Sequence, residues 1–106
     1  MPYNATRIDA GTGVDLQVLF GAQPAQSLAA YRDIDPQRCA DIRASWAAHG
    51  VIAYAEYVAG ELHCEIASVI SDLLCDLQHL CDGLGVYFGQ AVNVARRCHD
   101  EEVNER

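Results

Sequence analysis

The span I70-S-D-L-L-C-D-L-Q-H-L-C-D82 carries Asp72, Asp76 and His79 at steps of four and three residues. On a helix that spacing lines two carboxylates and an imidazole along one side. His99 and Glu102, three residues apart near the end of the chain, could supply a second wall. Carboxylates and imidazoles on facing helices are the donors that a divalent metal or a nucleotide–metal complex needs inside a bundle. The candidate polar or metal cluster is therefore Asp72, Asp76, His79, His99 and Glu102, with Glu61, Glu65 and His49 in second rank. The structural alternative is a network in which Asp72 and Asp76 accept hydrogen bonds from His99 or from arginines and fix helix register without chemistry.

On a helical wheel Glu61, Glu65, Ser68, Asp72, Asp76 and His79 fall within roughly 40° of one line. An ordinary solvated face mixes signs, but the chain has no Lys and this stripe has no Arg. The pairs Glu61/Glu65 and Asp72/Asp76 are like-charged one turn apart and each costs a few tenths of a kcal/mol unless something positive neutralises it. Counting from a turn near residue 85 sets His99 level with Asp72, and counting from a turn near residue 60 brings His49 close to that level. His63 points away from the stripe. Zinc is disfavoured: Cys75 and His79 lie one turn apart, but two more ligands, for example Cys98 or His99, would have to join them.

The elements that must position these residues are mainly helical. Leu62, Ile66, Val69, Ile70, Leu73, Leu74, Leu77, Leu80 and Cys81 recur at helical steps and predict a core helix over about 61–82, stopped by D82-G-L-G85. D35-P36 combines a capping Asp with Pro at the first helical position and opens a helix over about 36–58, with Cys39, Ile42, Trp46, Gly50, Ala53, Tyr54 and Tyr57 on one face and Gly60 as its stop. A last helix spans about 89–104, with His99 and Glu102 on or beside its apolar side. Ser27 could cap a short helix over about 25–34. Val14, Leu16, Val18 and Phe20 alternate after G11-T-G13, which reads as a β-hairpin with Thr6 to Ala10 or as an extended arm. The expected architecture is an antiparallel bundle of three main helices, with residues 1–24 as hairpin or arm and 25–106 as the helical part of a single domain.

Composition narrows the function classes. The chain has 106 residues and a net charge of -8. Residues 1–53 hold four Arg against five acids, and residues 54–106 three Arg against ten. So acidic a chain has no basic patch for direct nucleic-acid binding; only Arg96-Arg97 comes close. No apolar run reaches membrane-spanning length and the first residues lack a signal peptide's pattern, so the expectation is a cytoplasmic protein with no membrane contact. Five cysteines, an odd number with no C-x-x-C pair, fit a reducing compartment.

From about Glu61 to Glu102, D-L-L-C-D-L-Q-H and A-R-R-C-H-D-E-E around an L-G-V-Y-F turn resemble a group of small uncharacterised bacterial, phage and plasmid helical proteins. The matching positions are Asp72, Asp76, His79, Phe88, His99 and Glu102. The same span is more distantly similar to the second half of MazG-like nucleotide pyrophosphohydrolases. That resemblance implies a magnesium site, with Asp72 at the closing Asp of an E-x-x-D pair, although Val69 stands at its Glu position and Glu56, Glu61 and Glu65 are spaced by five and four rather than three. The leading expectation is a non-enzymatic accessory or interaction protein that forms a homodimer, with a further protein partner open and carriage on a mobile element in keeping with the resemblance. The alternatives are a MazG-like metal-dependent hydrolase, and an acidic decoy whose stripe imitates phosphates along roughly 20 Å. Only the hydrolase reading implies a cofactor, Mg2+.

Overall fold

The computed structural model describes residues 3–32 and 34–104, and their regular structure is helical: α1 (Gly13–Phe20), α2 (Pro36–Tyr57), a 3-10 turn (Glu61–His63), α3 (Ile66–Leu84) and α4 (Phe88–Val103). No strand forms among the described residues; the one ladder-like contact is an isolated antiparallel bridge between Thr12 and Glu65. None of the helices is long and apolar enough to cross a membrane, among the described residues.

The hairpin expectation is corrected by α1. Thr12 accepts from the Asp15 backbone N–H at 3.2 Å, and Asp15 accepts from the Thr12 and Gly11 N–H groups at 3.1 and 3.0 Å. This reciprocal capping box satisfies the donors that a new helix leaves open, and it outweighs the two-residue apolar alternation. Leu16 then turns into a small core with Ala48 and Ile52, with Phe20, Val51 and Ile66 packed against it. Gly13 is required by proximity: a Cβ there would lie 3.0 Å from the Leu62 Cα and carbonyl oxygen.

The short helix over 25–34 is also corrected, to a series of turns among the described residues. The Ser27 hydroxyl accepts from the Ala29 N–H at 3.1 Å, two positions on, a local closure that competes with helix capping. The start of α2 agrees with expectation: Asp35 accepts from Arg38 N–H at 3.0 Å and Pro36 opens the helix. Its buried stripe differs, however, being Ile42, Ser45, Ala48, Ile52 and Ala55. Small side chains let α1 and α3 approach closely, whereas Trp46 lies 41% exposed with its indole N–H on the Gln26 carbonyl at 2.9 Å.

The expected helix over 61–82 is divided. Gly60, at φ 88, ends the preceding segment, the 3-10 turn follows, and Cys64 and Glu65 run extended because they pair with the N-terminal arm: Gly13 N–H donates to Cys64 at 3.2 Å and Ile66 N–H to Gly11 at 3.0 Å. α3 starts only then. Gly85, at φ 72, caps α3 in the left-handed region where a Cβ is strained.

The helices do not close round a common three-helix core. α3 contributes only Val69 to the fully buried set and α4 contributes none. The far end of α4 instead reaches the N-terminal half of α2 through an ion pair between Arg43 and Glu102 at 2.9 Å, and its Val103 carbonyl accepts from the Tyr3 N–H at 2.7 Å.

Candidate functional site

The last turns of α2, the 3-10 turn and the middle of α3 bring Tyr54, Glu61, Asp72 and Asp76 together. Tyr54 Oη donates to Asp76 Oδ2 at 2.6 Å. Asp76 follows Asp72 by one turn of α3, and the left-handed Gly60 directs the chain so that Glu61 faces both. Glu61 is half-buried as a residue, but its Oε2 is shut off from water with no donor beside it.

That shielded oxygen favours the protonated form. An ionised Glu61 would set one carboxylate against another; a protonated one donates to Asp72 and satisfies both groups. The hydrogen bond to Asp72, the loss of water and the charges of Asp72 and Asp76 all raise the Glu61 pKa above its ordinary range. The Tyr54 phenol is raised too, first by its hydrogen bond to Asp76, then by desolvation and by the charges of Asp76, Glu61 and Asp72. The like-charge crowding read from the sequence thus favours proton uptake at Glu61.

The other sequence candidates lie elsewhere. His99 is exposed and its Nδ1 lies 3.4 Å from the adjacent Asp100, so the expected contact with Asp72 is absent. The register count assumed that α3 and α4 lie side by side throughout, whereas α4 ends against α2 and the arm. Glu102 is taken by Arg43. His79 is exposed on α3, His49 is half-buried on α2, and Glu65 is exposed at the bridge to Thr12. Cys75 and Cys98 are exposed free thiols. Among the described residues no three His, Cys, Asp or Glu side chains converge as metal ligands. At the positions named for the MazG-like pattern, Val69 is fully buried and Glu56 accepts from Gln17 at 3.3 Å.

Sequence reasoning missed Tyr54, which its spacing had assigned to an apolar face, and ranked Glu61 second. The signal for Glu61 was its place directly after Gly60, a turn able to swing it onto the stripe. Comparisons with protein-family models, with curated proteins and with solved structures return no match.

Proposed function

We propose that the chain is a small accessory protein that works by binding, as a homodimer, and that the apolar faces of α3 and α4 form the dimer interface. The observation that carries this reading is the uncovered face itself: Ile70, Leu74, Leu77, Leu80, Leu84 and Val94 are all exposed, Leu80 at 56% and Leu84 at 66%. Monomers rarely leave such a run of apolar surface in water.

Area supports a second copy as the occupant. A compact chain of 11.5 kDa exposes about 5,800 Å², whereas this one exposes 7598 Å². The excess over the whole chain, about 1,800 Å², is large enough to accommodate the roughly 800 Å² per partner of a standard interface. The radius of gyration, 15.0 Å against about 13 Å for a compact chain of this length, points the same way. Two helical hairpins placed face to face would bury four apolar stripes in one bundle core, and a two-fold axis makes the patch its own complement. The acidic cluster then acts structurally, holding α3 at its angle to α2. The cytoplasm, where the five free thiols stay reduced, is the compartment that suits this reading.

Light scattering on a sizing column tests it. The parent should elute at twice the chain mass, and the double variant Leu74→Gln, Leu77→Gln should run as a helical monomer. A monomeric parent at high micromolar concentration, or a double variant that dimerises unchanged, would overturn the proposal.

A further inference from the structure

A cavity of about 380 Å³ lies on another side of the molecule, between the N-terminal arm, the turns around residue 30, the first half of α2 and the end of α4. We infer that it is a binding site for a small amphipathic carboxylate: an apolar body among Leu28, Pro36, Ala40 and Ala44, and a carboxylate at Arg32 and Arg43.

Its size is within the range of small-molecule sites. Room exists because Ala40 and Ala44, one turn apart on α2, both face it with minimal side chains. The frame is fixed by bonds outside the apolar wall. Asp41 accepts from the Thr6 N–H at 2.7 Å and the Thr6 hydroxyl at 3.0 Å, and Gln37 donates to the Asn4 carbonyl at 2.7 Å, so the arm is strapped across α2 beside the cavity. Tyr3 N–H holds the end of α4 to the same arm. A pocket built this way is largely pre-formed.

The electrostatics select the ligand's sign. The chain carries -8 overall, yet two guanidinium groups, Arg32 and Arg43, line this cavity against a single acid, Glu102, with the His99 ring beside them. Glu102 is engaged by Arg43 Nη2, and the Arg43 guanidinium also lies 6.0 Å from the Trp46 ring centroid, so its plane is held from two sides. A guanidinium has five N–H donors, which leaves Arg43 further donors for a second carboxylate. The mostly apolar wall suits one charged head on a hydrocarbon body rather than a polyanion.

The test is an amide NMR titration with decanoate below its micelle concentration, with decanol as the uncharged arm. Decanoate should shift the amides of Ala40, Ala44 and Val103 and bind more tightly than decanol. Arg32→Gln, at an exposed turn position, should weaken decanoate about tenfold and leave decanol unchanged. Ala44→Leu should weaken both by filling the space; if it fails to fold, the Arg32 variant and the decanol comparison still decide. No binding, equal affinity for the two probes, insensitivity to Arg32→Gln, or shifts centred on Leu74, Leu77 and Leu80 would each overturn the inference. The last outcome would show the probe coating the α3–α4 face, and the oligomeric state is measured separately.

Discussion

The Tyr54 hydroxyl donates a 2.6 Å hydrogen bond to Asp76, joining the last turns of α2 to the middle of α3. Tyr54→Phe removes the donor and keeps the ring, leaving Asp76 to face Asp72 and Glu61 without it. The expected outcome is a lower urea midpoint at neutral pH with an unchanged denaturant slope. Asp76→Asn should cost less, because an uncharged amide beside Asp72 relieves the repulsion that Tyr54 offsets.

Glu61 gives the fold a pH dependence of unusual sign. Its pKa is raised in the folded state, chiefly by the hydrogen bond to Asp72, so folding favours its protonated form. Its contribution is therefore fully present below the ordinary glutamate value of 4.5 and is lost as pH rises through the higher folded value. Glu61→Gln, which keeps a donor toward Asp72 and cannot ionise, should hold its urea midpoint better than the parent as pH rises from acid to neutral. Parallel profiles for the two proteins would mean that Glu61 titrates as a free carboxyl.

Asp41 works in the opposite direction. Partial burial acts to raise its pKa, but the Thr6 backbone and hydroxyl hydrogen bonds, Gln37 and the Arg38 charge together hold it below the ordinary 3.8. Its contribution is present above that value and is lost as pH falls through the lower folded one. Asp41→Asn should speed hydrogen exchange at the Thr6 amide, whose acceptor it weakens, while exchange in the core of α2 is unchanged.

Ile42 is 1% exposed on α2, and its truncation to Ala should cost about 2 to 5 kcal/mol in urea unfolding. His99→Ala makes the contrast. With its side chain 68% exposed, it should change stability by no more than about 0.5 kcal/mol. A large loss at His99 would restore the facing-helix cluster that its sequence spacing suggested.

What could be read before folding was local. D35-P36 and Gly85 mark helix ends by backbone chemistry that needs no tertiary partner, and both stand where expected. The capping residues of T12-G-V-D15 are equally local, and they prevail over the short apolar alternation that follows them. Asp72 and Asp76 both stand near Glu61, because helix periodicity alone fixes the common face of the two aspartates. His99 was misplaced because its partner depends on the direction α4 takes after Gly85, and that is set by the distant Arg43–Glu102 pair and the Tyr3 strap. The identity of Glu61's partner likewise depends on a break between Gly60 and Ile66 that a continuous apolar pattern conceals.

The two backbone bonds that seat the arm, Gly13 to Cys64 and Ile66 to Gly11, link positions about fifty residues apart in the chain. Closing so long a loop carries an entropic cost that only the docked structure repays, which places this latch among the last contacts to form. Weakening it, for instance by Gly13→Ala, should then leave the folding rate nearly untouched and quicken unfolding. On that ordering, the glycine that lets two backbones meet should govern the lifetime of the folded chain more than the speed of its assembly.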